Sequence, residues 1–195
     1  FDTSNVRVIE NAITSEIYEA LNHFMNIIED QDNFLIFYAG HAIYHEQFGK
    51  GFWLPVDADK DSPQNWISNS DIEDYFRGIT SNHTLLIADA CFGGSHFKAR
   101  NAEFESNTIG MAEMEMHLIP SRKIMTSGAM TTVPDKSVFL EYLVDRLKTN
   151  KYNHLSAEEL YISFKTAVIQ NSTTHQVPQF GHVQLAGDEG GNFIF

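Results

Sequence analysis

Asn33-Phe34-Leu35-Ile36-Phe37-Tyr38-Ala39-Gly40-His41 decides the fold, together with its counterpart Thr84-Leu85-Leu86-Ile87-Ala88-Asp89-Ala90-Cys91-Phe92-Gly93-Gly94. Each stretch opens with a short, nearly unbroken apolar run, as expected of a strand buried on both faces. Strands are therefore expected over residues 33–39 and 84–89. Each run delivers a chemically capable side chain two positions past its end: His41 after Ala39, and Cys91 after Asp89. The Gly93-Gly94 pair requires a turn there.

Working outward, the periodicity alternates. Residues 6–9 read as a short strand. Thr14 reads as the cap of a helix to about Glu29, with Ile17, Leu21, Phe24 and Ile28 on one face. Residues 51–56 read as a short extended piece. Ser70-Asp71-Ile72-Glu73 has the form of a capping box and opens a helix to about Arg77. Residues 96–120 are polar and Met-rich and read as a long loop, residues 122–126 as a third central strand. Helices are expected over residues 136–148, with Phe139, Tyr142, Leu143 and Leu147 inward, and from the Ser156/Glu159 capping box to about Gln170. A Pro- and Gly-bearing tail ends in a strand at residues 192–195.

Buried strands alternating with helices imply an α/β domain over residues 1–195, a mostly parallel sheet with helices on both faces. Ligands of such folds bind at the carboxyl ends of the strands. If the first two buried strands are neighbours, His41 and Cys91 can meet there although 50 positions separate them.

Composition narrows the function classes. Apolar residues make up 43% of the 195 and charged residues 20%, ordinary for a globular protein. No apolar run approaches the ~20 residues of a membrane span. The opening Phe1-Asp2-Thr3-Ser4 has no basic signal region. A net charge of -13 argues against nucleic acid or an anionic membrane as partner. The single cysteine allows no intrachain disulfide, which fits a reducing, cytoplasmic setting, and it excludes a multi-cysteine zinc site.

A thiol is only slightly ionised at neutral pH, and a neighbouring imidazole can take its proton and later protonate a leaving amine. Cys91 and His41 are accordingly the candidate nucleophile and general base. The backbone N–H groups of Ala42 and Cys91 are candidate oxyanion donors. Asp89 supplies a carboxylate at the same strand end.

The two quoted segments resemble the histidine and nucleophile segments of caspases, metacaspases and bacterial caspase-like peptidases, whose Ala-Cys core lies about 50 residues after the histidine. Residues 53–57, 121–128 with 137–139, and 176–181 with 190–195 extend the resemblance over nearly the whole chain. The resemblance implies a caspase-haemoglobinase fold with a sheet of about six strands. Asp89, where Asp-specific caspases carry Gln, implies cleavage after Arg or Lys, with Asp89 in the S1 pocket. In such a site a carboxylate pairs with a cation and repels another carboxylate. The family's first strand and helix are not found before Phe1; that segment, or an activating partner, would complete the site. The family usually has Gly after the histidine, and Ala42 adds a methyl group there. No cofactor is implied. Some metacaspases need calcium, but Asp57, Asp59 and Asp61 lack the Gly and final Glu of an EF-hand loop. Bacterial relatives often serve regulated cell death or antiviral defence. Lys98, Arg100, Arg122 and Lys123 are candidate self-cleavage points. The competing readings are a catalytically silent caspase-like scaffold and a small-molecule hydrolase; the latter lacks a nucleophile elbow.

Overall fold

The apolar run at 84–89 becomes the central strand of the molecule. The structure, a computed structural model, describes residues 2–90, 116–128, 136–174 and 176–195. Strand β5 (His83–Asp89) is buried at every position. It pairs in parallel with β1 (Asn33–Ala39) on one side and β6 (Ser121–Thr126) on the other. An antiparallel strand, β7 (Gln179–His182), closes the order β1-β5-β6-β7. A second, antiparallel sheet joins β2 (His41–His45), β3 (Lys50–Leu54) and the short β4 (Ile67–Ser68). The sheet of about six strands expected above thus holds four among the described residues, with three more strands in the smaller sheet.

Alternation along the strands builds two cores. Leu86, Ala88 and Ile124 face helices α1 (Thr14–Ile27) and α2 (Asn69–Gly78), packing with Leu21, Ile72, Phe76 and Trp53. Leu85, Ile87 and Met125 face α3 (Val138–Thr149) and α4 (Ala157–Asn171), packing with Phe139, Leu143, Leu160 and Phe164. Each fully buried Leu or Ile contributes about 1.5–3 kcal/mol over leaving it in water. Helices on both faces of a mostly parallel sheet are what the alternating pattern predicts.

Several local expectations change. Among the described residues β1 is an edge strand, so it is not buried on both faces; Phe37 is 44% exposed. Residues 6–9 form no strand: Val6 and Val8 are exposed, and the neighbouring regular piece is a single 3-10 turn at Thr3–Asn5. Thr14 begins α1 rather than capping it, and Asp57 accepts both its N–H (2.8 Å) and its hydroxyl (3.0 Å). Helix α2 starts two residues earlier than expected. Its box is Ser68 with Asp71, whose carboxylate accepts the Ser68 N–H while Ser68 Oγ accepts the Asp71 N–H. The Ser156–Glu159 box holds as expected. Residues 192–195 make only a bridge, Ser156 with Ile194, and Phe193 packs into the α3/α4 core. The strand of that region is β7.

Candidate active site

β1 and β5 run in parallel and in register, with Ala39 opposite Asp89. Both strands therefore end at one edge, and Gly40 N–H donates to Asp89 O at 3.3 Å. His41 starts β2 immediately beyond and is exposed. β5 carries the chain to Ala90, a fully buried residue. Cys91 itself lies outside the described residues, as do Lys98 and Arg100.

The turn into His41 is held by a residue that sequence reasoning passed over. The Tyr38 ring stacks on Trp53 at 4.0 Å and 22°, and its hydroxyl donates to His41 O at 2.7 Å. A side chain at position 40 would put its Cβ 2.8 Å from that hydroxyl oxygen. Stacking leaves the ring no room to retreat, so position 40 must be glycine. Burial pushes the Tyr38 phenol well above its ordinary range, so it is a neutral donor. The available signal was the one hydroxyl-bearing side chain in an otherwise apolar run over residues 34–39, whose hydroxyl needs a partner when buried.

In the β2–β3 pair Ala42 lies opposite Trp53, and both belong to the core on the α1/α2 side. The Ala42 methyl is therefore in the core, not in the site. His41 lies one position earlier and so on the opposite, outward face.

Asp89 is 5% exposed, and its Oδ1 is buried with no hydrogen-bond partner among the described residues. A buried carboxylate oxygen without a donor is costly and needs a physical reason. Asp89 continues the Leu85–Ile87 row that faces α3 and α4. Two further residues share that edge and were not singled out from sequence. Ser127 follows β6, with its N–H donating to Ala88 O at 3.0 Å. Gln176 accepts the Phe139 N–H through Oε1 at 3.4 Å. Both are fully buried, and Ser127 Oγ and Gln176 Nε2 also have no partner among the described residues.

Other expectations fall away from this edge. Arg122 and Lys123 are not cleavage points. They lie within β6, and the Arg122 guanidinium donates to the carbonyl oxygens of Phe76, Ile79, Asn82 and Ser121. Lys123 pairs with Asp188 at 3.0 Å. A peptidase needs an extended, accessible backbone, which a strand hydrogen-bonded on both sides does not offer. Of the three aspartates in the 57–61 stretch, Asp57 is spent on α1, as above, and Asp59 Oδ1 accepts the Asp61 N–H. Among the described residues no three His, Cys, Asp or Glu side chains are grouped to hold a metal ion. No helix among them is long and apolar enough to cross a membrane.

The caspase domain matches residues 2–188. The chain belongs to the caspase family. Among solved structures, protein GSU0716 from Geobacter sulfurreducens is similar, with a TM-score of 0.55 at 14% identity, covering 87% of this chain and 72% of that one. At that identity the likeness is one of fold. A search of curated proteins returns no match. Caspase-family membership makes this a caspase-like peptidase domain of the cysteine type.

Proposed function

We propose that this caspase-family domain hydrolyses polypeptides after Arg or Lys, with Cys91 as nucleophile and His41 as general base. The observation that carries the reading is the parallel β1–β5 pairing, Ala39 opposite Asp89. It sets His41 and the chain entering Cys91 at one strand edge, beside a buried carboxylate oxygen that has no donor.

In this scheme the Cys91 thiol gives its proton to His41 and the thiolate attacks the scissile carbonyl carbon. The carbonyl electron pair moves to oxygen, which the N–H groups of Ala42 and Cys91 receive. Collapse of the tetrahedral intermediate breaks the C–N bond, and His41 protonates the departing amine. Water, deprotonated by His41, then releases the acyl group and regenerates the thiol. Asp89 holds the P1 cation. A buried charge that finds its partner only in the substrate favours a basic side chain and repels an acidic one.

The test uses peptides differing only at P1, as Arg, Lys or Asp, with the chain and its Cys91→Ala form. Cleavage after Arg and Lys but not Asp, abolished by Cys91→Ala, is the expected result. Preference for Asp would remove Asp89 from the pocket. Binding of basic peptides without any Cys91-dependent cleavage would favour the silent-scaffold reading.

A further inference from the structure

We propose that Ser127 and Asp89 together form a two-acceptor fork in the P1 pocket, and that this fork selects arginine over lysine. The inference rests on the basic-specific reading above and adds a residue that determines specificity within it.

The placement comes from strand register. Ala88 is opposite Thr126, and the Ser127 N–H bond to Ala88 O carries the β5–β6 ladder one residue further. Asp89 and Ser127 are thus neighbours on adjacent strands, about 4.8 Å apart in the hydrogen-bonding direction. Leu85, Ile87 and Met125 face the α3/α4 core. Residues two further along each strand, Asp89 and Ser127, continue that row. Gln176 closes the side: a Cβ at Gly128 would lie 3.6 Å from the Gln176 Cα.

Three polar atoms in this row and its wall, Asp89 Oδ1, Ser127 Oγ and Gln176 Nε2, are buried without a hydrogen bond. A serine kept for folding would spend its hydroxyl on a nearby carbonyl, as Ser163 does on Leu160 O at 2.6 Å. Ser127 does not. Its chemistry is completed by a guest that brings donors for two acceptors on neighbouring strands. A guanidinium is a planar fork with several N–H groups at fixed angles, and can reach both at once. An ammonium carries its three N–H donors on one rotating atom, so it can reach both acceptors only from a single point between them and lacks the fixed two-pronged match to their spacing. The Gln176 Nε2 group is itself a donor, so it stands outside the fork and suits a carbonyl of the substrate.

The experiment is calorimetric titration of the Cys91→Ala chain, with and without Ser127→Ala, by two hexapeptides identical except for Arg or Lys at P1. Thermal midpoints are measured on the same samples. Binding favours Arg, and Ser127→Ala lowers the Arg-to-Lys ratio roughly tenfold, the size of one hydrogen bond to a charged group. The midpoint holds or rises, because the hydroxyl removed has no partner in the free chain. An unchanged ratio, equal losses for both peptides, no preference for Arg before mutation, or a fall in the midpoint would each overturn the fork. Failure of the peptidase reading has a different signature. A chain that retains the Ser127-dependent preference but shows no Cys91-dependent cleavage keeps the pocket and loses the enzyme.

Discussion

The same strands end in two different ways. At their amino ends the buried charges among the described residues have found partners within the fold. The Arg122 guanidinium serves four carbonyl oxygens, and Lys123 pairs with Asp188, which also accepts the Arg122 N–H at 2.7 Å. At their carboxyl ends a buried carboxylate oxygen is left open beside an open hydroxyl and an open amide. Neutral atoms are unpaired at the amino ends too, Thr84 Oγ1 and His117 Nδ1. The distinction is therefore one of charge. On the proposed reading, a buried ion that serves the fold has spent its hydrogen-bonding capacity within it, and one that serves a substrate has not.

Two substitutions should separate the two strand ends most strongly. Asp89→Asn is expected to cost about 2–5 kcal/mol of selectivity for basic over neutral P1 residues, the size of a desolvated charge pair losing one member. Folding stability should hold or improve, since the buried oxygen replaced has no hydrogen bond among the described residues. Relative kcat/KM for Arg, Lys and Gln at P1, with urea midpoints, checks both halves. Equal losses on all three substrates would mean that Asp89 only orders the turn. Arg122→Met should do the reverse. It leaves carbonyl oxygens at the end of α2 and beyond without donors, and should cost about 3 kcal/mol of stability. P1 preference in the surviving folded protein should not change. A mild Arg122→Met, within about 1 kcal/mol of wild type, would show that water replaces the guanidinium and that the contrast is weaker than drawn.

Tyr38→Phe sharpens the comparison at the carboxyl edge. It keeps the ring on Trp53 and deletes only the hydrogen bond to His41 O. A loss of about 1 kcal/mol is expected, appearing in kcat more than in KM, because the turn that aims His41 loosens. Loss confined to KM would assign Tyr38 to substrate binding instead.

The central part of this arrangement was legible in the chain. A run as apolar as Leu85-Leu86-Ile87-Ala88 has nowhere to go but the middle of a sheet. That this run and residues 34–39 would be neighbours remained a condition in the sequence, and the parallel pairing of β1 with β5 meets it. What was not legible depended on partners. Residues 6–9 have the composition of a strand, but β structure needs a neighbour, and local pattern cannot supply one. Gln179-Phe180-Gly181-His182 has a poor strand composition and still pairs, because β6 offers it an edge. Ser68 and Ser70 both precede acidic residues at cap spacing. The choice fell to Ser68 because the chain arrives there extended from β4. His41, Ala42 and Asp89 could be named from sequence. Ser127 and Gln176 could not, since a missing hydrogen bond is a property of three dimensions.

The smallest predicted effect tests whether the amino ends are purely structural. His83 begins β5 and is buried; its Nδ1 lies 3.0 Å from Ser121 Oγ, and its ring stacks on His117 at 4.3 Å. Burial holds the His83 imidazole below its ordinary pKa of 6.5, and His117 and Arg122 nearby add to this. A contact with the His117 backbone opposes the shift without reversing it. The folded state therefore resists taking a proton that the unfolded chain accepts near pH 6.5. The sign follows: this contribution is fully present above about pH 6.5 and is lost as pH falls below it. Urea midpoints at pH 7.5 and 5.5 should fall more for wild type than for His83→Gln, which cannot take up the proton. Carboxylate titrations elsewhere are common to both proteins and cancel in the difference. P1 preference should stay the same for the two at either pH, since His83 sits at the end of β5 remote from Asp89. Equal pH slopes would mean that His83 is protonated in the fold without penalty. A change in P1 preference would mean that the two ends of the strands are coupled, and the contrast between them would then be one of degree.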